Sequence, residues 1–262
     1  MISFLKKSAH KLLHTIVTFL MKDVTVSRRM KNSSYKIYFK ADQFLKMLFS
    51  FEVDYESNCV AYLERYLRKD ALVFDIGANI GQYLLLVSNL INCDGRIISF
   101  EPNPQSFVTL QENIYKNNIK NVEAVNSAVG SLNGEIAISI DKTSGGRKSS
   151  ITNHDPNQDT AIVKILTLKH IISKYGVPDF IKVDTEGHEL EIFKCLDDET
   201  INSLCNTLFL VEVDSSSCSE IYQILNSHKC FSVERSQEII SKNDLIINTK
   251  GRGMENLLFV PR

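Results

Sequence analysis

The chain divides into regions with different patterns of apolar and polar positions. From residue 71 onward, short apolar runs alternate with segments in which apolar side chains recur at helical spacing. This alternation predicts a parallel sheet with right-handed helical crossovers. The predicted strands are 71–75, 96–101, 122–129, 179–184 and 207–212, and the predicted helices are 56–67, 80–91, 102–116, 189–196 and 219–225.

The alternation is broken in two places. Two alternating runs, 134–140 and 162–168, flank the polar loop 141–160 and predict a hairpin-like insertion. A loop of this length is usually functional or disordered, so we expect either a flap on the substrate side or a disordered tip. Near the end, strands 231–234 and 256–260 follow one another with no predicted helix between them, which indicates an antiparallel hairpin at the sheet edge.

The first 21 residues have a pattern of their own. Their apolar side chains recur near helical spacing and are interrupted by basic residues, which predicts an amphipathic helix. This helix packs on the domain or on a partner chain, or it rests on a membrane surface. Its uncharged stretch 15–21 is too short to span a bilayer. We therefore predict a helical arm over 1–55 and one domain over 56–262, with the insertion at about 134–168.

The composition is that of an ordinary globular protein, since 44% of the 262 residues are hydrophobic and 23% are charged. The net charge of −1 provides no strongly basic surface, so we expect no nucleic-acid partner. The six cysteines form no C-x-x-C pair and no zinc spacing. They indicate free thiols in a reducing compartment, and we expect the protein in the cytoplasm.

The most informative motif is the run Val73-Phe-Asp-Ile-Gly-Ala-Asn-Ile-Gly81, in which an apolar strand ends in a carboxylate and a glycine turn. Glycine lets a ligand approach the backbone closely, and the following helix presents free N–H groups. A carboxylate suits a cationic group better than a phosphate. The motif therefore predicts a site for the amino-acid part of S-adenosylmethionine (SAM), although a purely structural strand–helix turn is the alternative. The residues assigned to this part are Asp75, Gly77, Asn79 and Gly81.

A second acidic strand end favours a nucleoside-type ligand. Glu101 ends the next strand, about one βαβ unit beyond the glycine turn, where an acid usually binds ribose hydroxyls. NAD is the rival ligand. Its pyrophosphate prefers a G-x-G-x-x-G turn with no acid beside it, and Asp75 would repel the phosphates. SAM is therefore the preferred cofactor.

Acidic residues recur at the other predicted strand ends. In an open α/β sheet the ligand lies outside the carboxyl ends of the strands. Four of the five residues there are acidic: Asp75, Glu101, Ser127, Asp184 and Glu212. This concentration in a chain of near-zero net charge predicts one shared site.

The densest polar cluster is the run Lys182-Val-Asp-Thr-Glu-Gly-His-Glu189. Lys182 is unusual inside a parallel strand, so we expect it to pair with a carboxylate or to lie at the rim. Glu189 suits the positive end of the following helix. His188 is either an exposed turn residue or a general base suited to neutral pH.

The chain resembles the FkbM family of SAM-dependent methyltransferases in six segments. They are 73–83 (VFDIGANIGQY), 99–114 (SFEPNPQSFVTLQENI), 124–130 (AVNSAVG), 181–194 (IKVDTEGHELEIFK), 210–214 (LVEVD) and 256–261 (NLLFVP). The resemblance implies an α/β, Rossmann-like class I methyltransferase fold, with a seven-stranded, mostly parallel sheet and an antiparallel C-terminal hairpin. It also implies O-methylation of a hydroxyl on a sugar, a glycan precursor or a secondary metabolite. Lys169 departs from the family, whose members commonly carry an aspartate there.

The motifs and the resemblance together assign roles to individual residues. The predicted cofactor-binding residues are Asp75, Gly77, Asn79, Gly81, Glu101, Asn103, Ser127 and Ala128. Asp184, Glu186 or His188 positions or deprotonates the acceptor hydroxyl, and Glu212 lines the substrate pocket. No metal is assigned, and a Mg²⁺ ion held by carboxylates of this group is the alternative. The rival functions are a protein that binds SAM without turnover and an NAD-dependent oxidoreductase.

Overall fold

The computed structural model describes residues 16, 19–54, 57–140, 159–249 and 253–262. Across those residues, no helix combines the length and the apolar character needed to cross a membrane. The predicted N-terminal helix over 1–21 and the polar loop 141–160 fall almost entirely outside the described residues.

Strands and helices alternate through most of the described chain. The strands are β1 (Thr25–Met30), β2 (Lys36–Lys40), β3 (Glu52–Val53), β4 (Leu72–Ile76), β5 (Arg96–Phe100), β6 (Val122–Val125), β7 (Ala128–Gly130), β8 (Gly134–Ile140), β9 (Asp159–Thr167), β10 (Phe180–Val183), β11 (Leu208–Asp214), β12 (His228–Ser232), β13 (Gln237–Ile239) and β14 (Met254–Pro261). The helices are α1 (Leu45–Leu48), α2 (Val60–Tyr66), α3 (Gln82–Ser88), α4 (Pro104–Lys116), α5 (Leu168–Tyr175), α6 (Glu189–Lys194), α7 (Asp198–Ser203), α8 (Cys218–Ile224) and α9 (Lys242–Thr249).

A mixed sheet in the order β13-β12-β14-β11-β10-β4-β5-β6 forms the centre of the described fold. The strands from β11 to β6 are parallel, and β14 is antiparallel to β11. Strand β12 is antiparallel to β14 and so runs in the same direction as the parallel strands. The predicted α/β class with a mostly parallel sheet is therefore confirmed. The chain order reverses between β4 and β10, which lie side by side. Ligands of such sheets bind outside the carboxyl ends of the strands at this switch point.

The central sheet buries both of its faces. Successive residues of a strand point to opposite sides, so Phe74 and Ile76 belong to one buried cluster and Val73 to the other. The second cluster includes Tyr83 of α3, which covers that face. Near-continuous apolar strands such as these are expected where helices cover both sides of a parallel sheet.

The C-terminal part of the sheet differs from the prediction in two respects. The sheet has eight strands rather than seven, because the short β13 pairs with β12 at the edge. Helix α9 lies between β13 and β14, where no helix was expected. Strands β12 and β14 are nevertheless antiparallel neighbours, as predicted.

The predicted strand 122–129 is divided into β6 and β7. The break occurs at Asn126, whose Nδ2 donates to the carbonyl oxygens of Glu101 (2.7 Å) and Pro102 (3.1 Å). Beyond this bend, β7 leaves the central sheet and pairs with β9, which in turn pairs with β8 in antiparallel orientation. These three strands form a small separate sheet beside the carboxyl end of the central one.

Residues 25–53 form strands where a helical arm was predicted. A sheet in the order β2-β1-β3 occupies most of this segment, and only the short α1 is helical. The physical reason is a period of two in β2, where Ile37 and Phe39 are completely buried and their neighbours are not. Their buried side chains belong to a third cluster together with residues of α3 and α4.

Candidate active site

The glycine turn after β4 touches the end of β10 through its backbone. Gly77 has a φ of +80°, and a Cβ at this position would lie 1.7 Å from the carbonyl oxygen of Asp184. The N–H groups of Gly77 and Ala78 both donate to the carbonyl oxygen of Phe100, at 3.0 Å each. Only glycine fits here, because the turn needs both a left-handed backbone and close contact with the neighbouring strand.

Asp75 is a buried carboxylate near the end of β4. Its side chain is 1% exposed, and neither oxygen has a hydrogen-bond partner among the described residues. Burial raises the pKa of Asp75 from 3.8 to about 6, the positive charge of Lys182 opposes this shift, and the charge of Asp184 adds to it. Asp75 and Lys182 are paired across β4 and β10, so the two side chains leave the same face of the sheet.

Glu101 organises the two turns at the ends of β4 and β5. One carboxylate oxygen accepts from the N–H of Asn79 at 2.7 Å, and the other accepts from the N–H of Asn103 at 2.8 Å. Burial is the main reason that its pKa is raised to about 7. Asn103 in turn caps α4, since its Oδ1 accepts from the N–H of Gln105 at 2.9 Å. Both predicted cofactor residues therefore have structural roles as well.

Further polar atoms near these turns lie buried without hydrogen-bond partners in the described part of the chain. They are Asn79 Oδ1, Ser99 Oγ and Ser127 Oγ. Ser99 is paired with Asp75 across β4 and β5. Ser127 precedes β7, whose first residue, Ala128, is 3% exposed. Buried polar atoms are normally satisfied, so a polar ligand at the carboxyl end of the sheet would explain such a concentration.

Lys182, Asp184 and Glu212 form a charged group beside the turn. The Nζ of Lys182 lies 2.9 Å from Asp184 Oδ2 and 5.3 Å from the centre of the Tyr83 ring. Lys182 therefore pairs with a carboxylate, which was one of the two expectations for it. Burial and the charges of Asp184 and Glu186 hold the pKa of Glu212 well above its usual range. A hydrogen bond between the side chains of Glu212 and Asp184 acts in the same direction.

The turn before α6 places its three polar residues in different environments. Glu186 is exposed and has a φ of +56°. His188 is buried rather than exposed, and a Cβ on Gly130 would lie 2.8 Å from its Nε2. Burial lowers the pKa of His188. Glu189 begins α6 as expected and also closes the turn, because its Oε1 accepts from the N–H groups of Thr185 (2.7 Å) and Gly187 (3.1 Å).

The predicted acidic residues act on one another as a single cluster. Asp75 and Asp184 both raise the pKa of Glu101, and Asp184 and Glu186 raise that of Glu212. No described group of three or more His, Cys, Asp or Glu side chains has an arrangement that could hold a metal ion. His188 packs against Gly130 of β7. The sequence of the turn gave no indication of this contact.

Lys169 lies outside this cluster. It is exposed and makes an ion pair with Asp197, whose Oδ1 accepts from the N–H of Thr200 and so caps α7. The departure from the family pattern at this position therefore contributes a surface contact between α5 and the start of α7.

The comparisons with known proteins agree with this geometry. A family model described as the methyltransferase FkbM domain matches residues 75–231. The hexuronic acid methyltransferase AglP of Haloferax volcanii is 26% identical over 141 residues, which cover 53% of this chain and 55% of the relative. Methyltransferase 1 of Beauveria bassiana is 26% identical over 150 residues, which cover 50% of this chain and 60% of the relative. The chain thus spans little more than half the length of these curated relatives.

A solved structure has a similar fold. The crystal structure of methyltransferase FkbM from Methylobacillus flagellatus KT matches this chain with a TM-score of 0.51 at 15% identity. The match covers 77% of this chain and 47% of that chain. At this level of identity the likeness concerns the fold alone.

Proposed function

The chain belongs to the family of FkbM-domain methyltransferases, and we propose that it transfers the methyl group of SAM to a hydroxyl oxygen of a sugar, a glycan precursor or a secondary metabolite. The observation that carries this proposal is the environment of Asp75. A buried carboxylate without hydrogen bonds is costly. Beside the glycine turn at the switch point, Asp75 accepts no hydrogen bond from any residue that the structure describes. A cationic ligand at this place would compensate the cost.

Residues of the site can be assigned to the amino-acid part, the ribose and the adenine of SAM. Asp75 would bind the ammonium of the amino-acid part, Gly77 and Gly81 give the turn its left-handed backbone, and Asn79 offers its Oδ1, which has no hydrogen-bond partner among the described residues. The lone pairs of Glu101 that Asn79 and Asn103 do not use would accept the ribose hydroxyls. The residues assigned to the adenine are Ser127 and Ala128. When bound, SAM supplies an electrophilic methyl group on a sulfonium.

We assign the removal of the acceptor proton to Asp184. Asp184 directly follows β10 at the switch point, and the Nζ of Lys182 holds its carboxylate in place at 2.9 Å. His188 and Glu186 are weaker candidates, since the imidazole is packed against Gly130 and Glu186 is exposed on the turn. A positioned base typically contributes 10²–10⁴-fold to the rate.

The acceptor class is supported by a relative. The name of AglP states that it methylates a hexuronic acid, which favours a carbohydrate acceptor for this chain too. A reducing compartment suits the protein, because the six cysteines all lie among the described residues and form no disulfide there: Cys59, Cys93, Cys195, Cys205, Cys218 and Cys230. We therefore place the reaction in the cytoplasm. A peripheral membrane contact through residues 1–21 stays a proposal from the sequence.

The test is the formation of S-adenosylhomocysteine by the purified protein with a panel of neutral sugars, uronic acids and nucleotide sugars. We expect turnover with at least one carbohydrate, and we expect Asp184→Asn to lower kcat by about 10²–10⁴-fold while SAM still binds. Binding of SAM without product across the panel would favour the non-catalytic alternative. Binding of NADH, detected by its fluorescence, would favour the oxidoreductase.

A further inference from the structure

We propose that the N-terminal sheet of β1, β2 and β3 holds the glycine turn of the cofactor site in position. Asn113 is the positioning residue that connects this sheet to the turn. The sheet precedes the family domain, which begins at residue 75. The inference rests on the proposed function, because the position of the turn matters for binding only if the turn holds the donor.

Both polar atoms of the Asn113 side chain take part in the connection between the N-terminal sheet and the glycine turn. It lies on α4 and is completely buried. Its Nδ2 donates to the carbonyl oxygen of Tyr38 at 2.8 Å and to that of Ile80 at 2.9 Å, while its Oδ1 accepts from the N–H of Tyr38 at 2.6 Å. The amide thus pairs with the edge of β2 and fixes a carbonyl of the turn at the same time. Neither backbone segment can shift without breaking a buried hydrogen bond.

Apolar packing adds a second connection. Ala78 and Ile80, the apolar residues of the turn, are 4% and 1% exposed. They share one buried cluster with Ile37 and Phe39 of β2. The side chains of the turn therefore pack toward the N-terminal sheet, and the sheet determines where the backbone of the turn lies.

The loop between β1 and β2 holds the helix that follows the turn. Ser33 Oγ donates to the carbonyl oxygen of Leu85 at 3.1 Å. The N–H and the hydroxyl of Ser34 both donate to Asn89 Oδ1, at 3.1 and 2.9 Å. The N-terminal sheet therefore contacts the turn at one end of α3 and the last residues of the helix at the other.

Asn117 is a matched control on the same helix. Its Oδ1 accepts from the N–H of Lys36 at 3.0 Å, and its Nδ2 donates to the carbonyl oxygen of the same residue at 2.7 Å. It thus pairs with the same edge of β2 as Asn113. Its Nδ2 also donates to the backbone carbonyl oxygen of Asn113 at 2.8 Å, and none of its side-chain hydrogen bonds within the described residues reaches the turn. Asn117→Ala therefore removes this attachment to the sheet without touching Ile80.

The experiment compares Asn113→Ala and Asn117→Ala in the full chain. For Asn113→Ala we expect a SAM dissociation constant about tenfold higher by calorimetry, since buried polar groups lose their partners. At saturating SAM, kcat should stay within about twofold of the wild type, because a positioning role affects binding before chemistry. Without SAM, hydrogen exchange at the amides of residues 77–81 should accelerate. Asn117→Ala should leave the affinity and this exchange unchanged.

Each outcome decides the proposal. Unchanged affinity and exchange in Asn113→Ala, or equal effects of the two variants, would overturn it. If Asn113→Ala does not fold, Phe39→Leu reduces the packing from the sheet side, and SAM binding about threefold weaker is expected. A wild-type protein that does not bind SAM would refute the proposed function instead, while the exchange measurement, which needs no ligand, would still test the connection through Asn113.

Discussion

Two buried carboxylates of the central sheet differ in how they are satisfied. Asp75 on β4 and Glu255 on β14 are each 1% exposed. Glu255 accepts a hydrogen bond from Ser232 Oγ and pairs with the Nη2 of Arg235 at 3.3 Å. Asp75 has no hydrogen-bond partner among the described residues. The fold thus satisfies the carboxylate of Glu255 inside the sheet with hydrogen bonds and leaves that of Asp75 at the switch point without one in the described part of the chain, as expected if a ligand completes the second site.

Substitutions of Asp75 and Glu255 should differ most in their effect on the affinity for SAM. Asp75→Asn keeps the shape of the side chain but removes the charge that would meet the ammonium of SAM. Loss of one partner of a buried charge pair costs on the order of 2–5 kcal/mol, so we expect calorimetry to give a dissociation constant at least about 30-fold higher. Glu255→Gln is the matched control, because it makes the same chemical change away from the turn.

Two results would contradict the predicted difference between Asp75→Asn and Glu255→Gln. Unchanged SAM affinity in Asp75→Asn would remove the carboxylate from the cofactor site. An equal loss of affinity in Glu255→Gln would mean that any lost charge in the sheet weakens binding through general destabilisation.

The next effect concerns stability without cofactor, where the two substitutions should act in opposite directions. Removing the uncompensated charge of Asp75 should raise the free energy of unfolding at pH 7 by about 1–3 kcal/mol, given the raised pKa of the group. Glu255→Gln should lower it by about 1–3 kcal/mol, since Arg235 loses its charged partner. Urea denaturation of both variants and the wild type measures the two signs, and a destabilised Asp75→Asn would contradict the comparison.

The central part of this architecture could be predicted because local patterns determine it. Apolar runs that end in Asp75 and Glu101 identify buried strands and their carboxyl ends, and the doubly wound topology brings those ends together. Lys182 inside an apolar strand was expected either to pair with a carboxylate or to lie at the rim, and it pairs with Asp184. Periodicity and topology were sufficient for these statements.

Other features depend on contacts between distant segments and were missed for that reason. His188 is buried where β7 packs over it at Gly130, and β7 follows the bend at Asn126 that takes the chain away from the central sheet. Asn113 appeared as an ordinary polar residue of a helix, although a buried asparagine there needs backbone partners. The alternation of Ile37 and Phe39 was a readable strand signal, but it was included in an arm expected to be helical.

The smallest predicted effect is a change in how stability depends on pH. The pKa of Asp75 is raised from 3.8 to about 6 and that of Glu101 from 4.5 to about 7, in both cases mainly by burial. Between about pH 4 and 7 the folded protein therefore holds protons that the unfolded chain has released, and its stability falls as the pH rises.

Asp75→Asn removes one of these two contributions. The free energy of unfolding of this variant should exceed that of the wild type by almost nothing near pH 4. The difference should grow as the pH rises through about 6 and should then stay constant. Urea denaturation without cofactor at several pH values between 4 and 8 measures this difference. Saturating SAM should reverse the sign of this difference, because a donor bound to ionised Asp75 stabilises the wild type more than the variant. A constant offset at every pH would mean that the Asp75 carboxylate is already satisfied in the free protein, and the contrast with Glu255 would then disappear.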